Sequence, residues 1–261
     1  MFDFHMHSRV SFDGRDTALN MAKAAAAAGL KQICFTDHMD YDPLKADHKL
    51  AFDITIYNKE YEHLEVPGVN ILKGFEFGML ADNREQLKKD ISRRDWDFVL
   101  GSVHFVDGLD VYFEEYWAHK TPYQAILRGM EETLTCVKNH DDFDVLAHLT
   151  YLAKTHANPV KQPILYQDYR EVVDEILKLL VQKGKGLELN TSGVDACGAF
   201  LPDAQYLRRF KELGGQIVTV GSDAHHAGRV GQYCREACLQ VAEIFGYVCT
   251  FEGRKPVFHT L

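Results

Sequence analysis

The sequence predicts an α/β fold in which seven parallel strands alternate with helices and close into a barrel. Three observations carry that prediction. Apolar runs of strand length recur along the 261 residues, separated by amphipathic or alanine-rich helical patterns. No strand run reads as an unpaired sheet edge, which favours the closed form. No repeat, Gly/Ser-rich or Pro-rich linker, or shift of composition divides the chain, so residues 1–261 are expected to form one domain.

The first strand is read over Phe2 to His7. Asp16 or Thr17 then caps a helix through Ala22 to Ala28 that stops at Gly29, because alanine has the highest helix propensity and glycine ends helices. Strands follow at Gln32 to Thr36, Val69 to Phe77, Phe98 to Val103, Val145 to Leu149, Leu187 to Asn190 and Ile217 to Gly221. Helical patterns lie near Arg84 to Arg93, Tyr123 to Asn139, Tyr169 to Lys183, Ala204 to Leu213 and Gln232 to Phe245. Asp40 to Glu65 and Asp107 to Thr121, rich in Asp, Tyr, His and Glu, read as extended loops on one face of the barrel with room for short helices.

A hydrophobic share of 46% and a charged share of 26% are those of a globular protein and exclude disordered, collagenous and fibrous chains. With 38 Asp and Glu against 29 Lys and Arg, the net charge of -9 argues against a nucleic-acid or membrane-surface binder, since those need a basic face. A small phosphorylated substrate is not excluded, because a local cationic pocket or a bound metal outweighs the global sign. The six cysteines form no C-x-x-C pair, and Cys234 and Cys238, four apart on a helical pattern, suit a buried apolar role better than a soft metal pair. The opening Met-Phe-Asp-Phe-His-Met-His has no basic stretch leading into an apolar run, and no stretch approaches the ~18 apolar residues of a membrane span, so a reduced, cytoplasmic setting is expected.

The 13 histidines are the unusual quantity. His5 and His7 end the first strand, Asp37 and His38 follow the second, and Glu76 lies at the end of the third. His104 follows the fourth, His148 ends the fifth, and Asp223 and His225 follow the seventh. His5 and His7 are two apart on a strand, so they point to one face. Parallel barrels hold their active sites at the carboxyl ends of the strands, which is where these nine ligand-type residues fall together. Imidazoles suit zinc, iron and manganese, and carboxylates bridge cations.

The motifs at these positions are His-Met-His-Ser-Arg-Val-Ser-Phe-Asp-Gly (His5 to Gly14), Phe-Thr-Asp-His (Phe35 to His38), Gly-Phe-Glu (Gly74 to Glu76), Gly-Ser-Val-His (Gly101 to His104), Ala-His-Leu (Ala147 to Leu149) and Gly-Ser-Asp-Ala-His (Gly221 to His225). In order and spacing they resemble those of the polymerase and histidinol phosphatase (PHP) superfamily. The resemblance runs from residue 3 to about 230 and implies a distorted, TIM-like (β/α)7 barrel with a trinuclear metal centre. It implies that His5, His7, Glu76 and Asp223 hold one ion, that Glu76 bridges to a second held by His104 and His148, and that His38 and His225 hold a third. The third ligand there would be the residue six beyond His7, where many relatives carry histidine and this chain has Asp13. Two to three divalent ions (Zn, Mn or Fe) are thus implied, with the harder Asp13 favouring manganese or iron at the third site. Ser102 to Gly108 and Leu187 to Gly193 look most like the monofunctional histidinol-phosphate phosphatases. That resemblance implies hydrolysis of L-histidinol phosphate in histidine biosynthesis.

In that reading a metal-bridging hydroxide held at Glu76, with Asp223 beside it, is the nucleophile, and no serine or cysteine nucleophile is needed. Asp37 is expected to orient a ligating histidine from behind. Arg9 and Lys154 are the leading candidates for binding phosphate, Lys154 falling where the histidinol phosphatases resemble one another in carrying a basic residue; Arg229 and His156 follow. Tyr112 to Trp117 with Asp40, Tyr41 and Asp42 offer carboxylates and an aromatic wall to a cationic amino alcohol. Three other readings stand beside this one. A PHP phosphoesterase for a nucleotide, oligonucleotide end or sugar phosphate shares every ligand. An amidohydrolase-type barrel commonly needs a carboxylated lysine at the fourth strand, where this chain has His104. A non-catalytic metal store or degenerate barrel fits poorly with an intact ligand set.

Overall fold

The computed structural model describes residues 1–45 and 50–261, so His48 lies outside the described residues. The elements run β1 (Phe2–Met6), α1 (Ala18–Ala27), β2 (Gln32–Phe35), β3 (His38–Met39), α2 (Ile54–Tyr61), β4 (Asn70–Gly78), α3 (Arg84–Ile91), β5 (Phe98–Ser102), β6 (Phe105–Val106), β7 (Leu109–Asp110), α4 (Glu114–Trp117) and α5 (Pro122–Asn139). They continue with β8 (Val145–Leu146), α6 (Arg170–Gln182), β9 (Gly186–Asn190), α7 (Val194–Cys197), α8 (Ala204–Glu212), β10 (Val218–Gly221), α9 (Cys234–Phe245), β11 (Val248–Glu252) and β12 (Lys255–His259).

Seven strands pair in parallel in the order β1-β2-β4-β5-β8-β9-β10. The sheet nearly closes where β1 meets β10, through a Met6–Ala224 bridge and the Asp223 N–H on the His5 carbonyl at 2.7 Å. The fold class expected from the alternation is thus the one observed: a mostly parallel, nearly closed seven-stranded barrel with helices around it. Two irregularities bend strands toward the carboxyl-end mouth. The β1 register shifts between Asp3 and Met6, and the β2 segment breaks after Phe35 before β3 resumes pairing with β4, His38 opposite Glu76. Such breaks re-aim side chains near active sites.

Local chemistry explains the helix boundaries. Thr17, rather than Asp16, caps α1 by accepting the Asn20 N–H, and Ala18, Met21, Ala22 and Ala25 form its buried stripe. Asp16 instead accepts the Ala227 N–H at 2.8 Å. Helix α5 starts with a Thr121/Gln124 capping box and Pro122 in its first turn. Cys234 and Cys238 are buried on α9, the apolar role expected of them.

Besides the short elements β3, β6, β7 and α7, the structure departs from the sequence reading in three places. Helix α2 lies in the stretch read as irregular; Asp53 caps it, and it buries only Tyr57 and Tyr61, too few apolar positions for a visible period. The fifth barrel strand stops at Leu146; His148, with φ of 20°, leaves the strand conformation and lines the mouth. The antiparallel hairpin β11–β12 adds two strands that the sequence reading does not contain. It covers the amino ends of the strands: Gln32 donates to Glu252 at 2.8 Å, the Arg254 N–H to the Asp97 carbonyl at 2.9 Å, and Arg254 Nε to Asp144 at 2.5 Å, while Phe251 packs on Phe98.

Candidate metal centre

The strand ends converge on a cavity of about 910 Å³ whose floor is made of ligand-type side chains. His5 and His7, on the bent end of β1, bring their Nε2 atoms to 3.1 Å from each other. Glu76 Oε2 lies 3.2 Å from His5 Nε2 and 3.5 Å from His7 Nε2, and Asp223 Oδ1 lies 3.6 and 3.3 Å from the same two atoms. Donors held about 2.0–2.2 Å from a tetrahedral ion stand roughly 3.3–3.6 Å apart, so these four atoms have the spacing of one ion's shell. Asp223 reaches this position from a backbone with φ of 55°, a left-handed conformation that aspartate tolerates better than most residues.

The other oxygen of Glu76 faces a second set. Oε1 lies 2.9 Å from His148 Nε2 and 3.4 Å from His104 Nε2, and accepts the Ser102 hydroxyl at 2.5 Å. Oε2 is buried without a hydrogen-bond donor among the described residues, the state of a carboxylate oxygen built to meet a cation. Toward the cavity entrance, Asp13 Oδ2 lies 3.1 Å from His225 Nε2 and 3.7 Å from His38 Nε2, while the rings of His7 and His225 stack at 4.1 Å. The structure therefore brings together all nine residues expected as ligands.

The outer nitrogens of these rings are held as well, which fixes which nitrogen is free to bind. His5 Nδ1 donates to Glu188 Oε1 at 2.7 Å, and Glu188 Oε2 accepts the His148 N–H at 2.8 Å. His104 Nδ1 donates to Asp40 Oδ1 at 2.9 Å, and Asp40 Oδ2 lies 2.9 Å from His38 Nδ1. Asp37 does not touch a ligand ring. It accepts the Ser11 hydroxyl at 3.0 Å, leaving that oxygen to receive His7 Nδ1–H at 3.1 Å, so Asp37 orients His7 through Ser11. The Ser8 N–H and the Tyr61 hydroxyl hold Asp37 in turn, and burial raises its pKa to about 6.

The electrostatics match a site that exchanges protons for ions. Burial opposes charge on every member, yet three shift toward their charged forms: His5 through Glu188 and then Glu76 and Asp223, Glu76 through His5, His38 and His104, and Asp223 through Lys154 and then His5. Against burial, Glu76 and Asp40 hold His38 up at about 9, while burial together with His225 and His38 pushes His7 down to about 3. Binding cations here displaces protons from the imidazoles.

Of the phosphate-binding candidates, only Lys154 lines the cavity; its Nζ donates to Asp223 Oδ2 and, at 2.7 Å, to the Ser192 hydroxyl. Arg9 is an exposed side chain paired with Glu60 at 2.8 Å, Arg229 is paired with Asp195 at 2.6 Å, and the His156 ring stacks on that of Tyr112. None of these three lines the cavity: Arg9 and Arg229 are ion-paired, and His156 lies against a ring that does line it. Arg15 and His226, not singled out from sequence, do line it. Within the loop expected to meet an amino alcohol, Tyr112, Phe113 and Glu115 line the cavity, whereas Tyr116 and Trp117 are buried in the core and Tyr41 donates to Asp90. Asp40 serves His104 rather than a substrate. Among the histidines read as surface residues or site neighbours, His140 is buried, bonded to Asn83 and the Cys136 carbonyl.

Sequence reasoning missed Glu188, Ser11 and Ser102. A signal for Glu188 was present: a carboxylate between Leu187 and Leu189 in a fully buried strand needs a partner.

A nearly closed parallel barrel whose mouth gathers buried histidines around one shared carboxylate is that of a metal-dependent hydrolase, and the donor set binds divalent metal. The chain belongs to the PHP domain family, whose model matches residues 3–192. It is 32% identical to a probable histidinol-phosphatase of Clostridium acetobutylicum over 93% of both chains, and 30% identical to the histidinol-phosphatase of Lactococcus lactis subsp. lactis over 97% of this chain and 95% of that one. The crystal structure of a Lactococcus lactis histidinol phosphate phosphatase complexed with zinc, L-histidinol and phosphate superposes with a TM-score of 0.87 at 28% identity, covering 98% of each chain.

Proposed function

We propose that this chain is a metal-dependent phosphomonoesterase that hydrolyses L-histidinol phosphate to L-histidinol and phosphate in histidine biosynthesis. The observation that carries the reading is the division of Glu76, with Oε2 facing His5, His7 and Asp223 and Oε1 facing His104 and His148. In this reading His5, His7, Glu76 and Asp223 hold one ion, Glu76, His104 and His148 a second, and Asp13, His38 and His225 a third, the last suited to manganese or iron and the others to zinc. Ions bound there supply water activated near neutral pH and positive charge at the attacking and leaving oxygens.

The chain's own residues do the rest. Lys154 Nζ, held by Ser192 beside Asp223, donates to phosphate oxygens. Asp37 through Ser11, Asp40 and Glu188 fix the tautomers of His7, His104 and His5, so that each Nε2 lone pair faces the cavity floor. Tyr112 and Phe113 give the cavity an aromatic side for an imidazole. The barrel, its covering helices and its terminal hairpin support reading 1–261 as one domain. A cytoplasmic location belongs to the same proposal, resting on six cysteines that are all free thiols.

The test measures phosphate released by fully metallated protein from L-histidinol phosphate, nucleoside monophosphates, sugar phosphates and p-nitrophenyl phosphate. The first is expected to have the highest kcat/KM; near-zero turnover of it alongside brisk turnover of another ester would sink the substrate. Glu76→Ala should abolish turnover and ion content together, read by elemental analysis.

A further inference from the structure

The seam that closes the barrel is the place where the sheet has the fewest backbone bonds. Neighbouring strands elsewhere in the barrel pair as ladders, whereas β1 and β10 share, among the described residues, one bridge between Met6 and Ala224. Asp3 stands at this seam, fully buried on β1 at the point where the strand's register shifts. Its Oδ1 accepts the Ser222 N–H at 2.8 Å and the His5 N–H at 3.4 Å, and its Oδ2 accepts the Ser222 hydroxyl at 2.6 Å and the Gly231 N–H at 2.9 Å. A carboxylate taken out of water needs donors of this number, and in return it fixes the backbone that carries them.

The partners across the seam bracket an ion-binding residue. Ser222 directly precedes Asp223, and Gly231 lies farther along the same loop, before α9. Asp223 has a φ of 55°, a conformation that persists in a non-glycine residue only where its surroundings hold it. Its own N–H is held by the His5 carbonyl at 2.7 Å, and the residue before it is held twice by Asp3. The seam has no slack, since a Cβ on Gly221 would fall 2.3 Å from that of His5. His225 is secured separately, its carbonyl accepting the Arg15 N–H at 2.9 Å.

We propose that Asp3 is the positioning residue for Asp223: by gripping Ser222 and Gly231 it holds the turn that sets Asp223 Oδ1 opposite the Nε2 atoms of His5 and His7. This rests on reading Asp223 as an ion ligand and is independent of which ester is hydrolysed.

The experiment measures manganese affinity by competition with a chromophoric chelator for wild type, Asp3→Asn, Ser222→Ala and Arg254→Ala. Asp3→Asn keeps the size of the side chain and turns one accepting oxygen into an amide that cannot accept. Ser222→Ala removes one donor, and Arg254→Ala weakens the fold at the opposite end of the barrel, which controls for lost stability alone. Asp3→Asn is expected to weaken manganese binding about 10- to 100-fold, as loss of a partner behind a metal ligand does. Ser222→Ala should weaken it about 3- to 10-fold, the worth of one hydrogen bond, and Arg254→Ala should stay within about twofold of wild type. Activation of p-nitrophenyl phosphate hydrolysis by manganese should shift to higher concentration by the same factors. Wild-type affinity in Asp3→Asn, or an equal loss in Arg254→Ala, would overturn the role. If wild type binds manganese but does not turn over L-histidinol phosphate, the substrate reading fails by itself and Asp3 is still judged on affinity. Should Asp3→Asn not fold, Ser222→Ala decides: weaker binding supports the role, and unchanged affinity refutes it.

Discussion

The two ends of this barrel bury the same kinds of residue to opposite effect. At the amino-end floor, Asp144 accepts the Val99 N–H at 2.8 Å and Arg254 Nε at 2.5 Å, and the Gly253 N–H donates to the Asp97 carboxylate, so the charges are matched by the chain itself. At the carboxyl-end mouth, six imidazoles and Glu76, Asp40 and Asp223 are packed together, with one carboxylate oxygen lacking any donor among the described residues. A matched buried charge holds the fold together, whereas an unmatched set keeps binding capacity at the expense of stability. Changes at the floor should therefore move stability and spare chemistry, and changes at the mouth should do the reverse.

The largest expected effect is at the floor. Arg254→Ala leaves Asp144 buried without its cation and should cost about 3 kcal/mol, the low end for a broken buried pair because Arg254 is partly exposed. Thermal or urea unfolding measures the loss; kcat/KM of the folded variant should stay near wild type, and a large fall in it would erase the distinction between the two ends.

Next in size is a pH effect confined to the mouth. The pKa of His38 is raised from the ordinary 6.5 to about 9, so the stability it gains from Glu76 and Asp40 is complete below pH 6.5 and fades as pH rises through 9. In chelator, the chain should lose on the order of 3 kcal/mol across that window from this group alone. Metal-loaded protein, whose imidazoles are neutral, should show a much flatter profile in unfolding experiments run at matched pH. A flat profile in chelator would mean that the mouth is not under charge stress.

Glu188→Gln probes the layer behind the ligands. Removing that charge from His5 should weaken ion affinity about 10- to 100-fold, as outer partners of ligating histidines typically do. Competition with a chromophoric chelator reads it directly, and unchanged affinity would show that Glu188 only supports β9. The smallest effect belongs to Arg9→Ala: the Arg9 side of its ion pair with Glu60 is exposed, so stability should change by less than about 1 kcal/mol and KM for the phosphate ester should not move.

Much of this molecule is legible in its residues alone. Strand alternation announces the parallel barrel, and ligand-type residues at strand ends announce its mouth, because both depend on local periodicity and on the rule that parallel barrels carry their sites at carboxyl ends. The hairpin at 248–259 escapes that reading although its two strands flank a Gly253-Arg254 turn, since a meander at the end of an alternating pattern has no periodic neighbour to mark it. Helix α2 escapes it because Tyr57 and Tyr61 alone form its buried face.

Residue types and their order along the chain are enough to establish the barrel, the ion-binding mouth and the likeness to a phosphatase family. Which basic residue meets the cavity is another matter. Arg9 and Lys154 look alike as cations near ligand motifs, yet Glu60 on α2 captures one and Ser192, just past the neighbouring strand β9, steadies the other. The same holds for Asp40 and Glu188, carboxylates whose roles depend on the ring each one meets, His104 for the first and His5 for the second. Periodicity encodes which face a side chain takes, but partners separated by scores of residues meet only when the sheet closes, and a charged group's role is set by those partners.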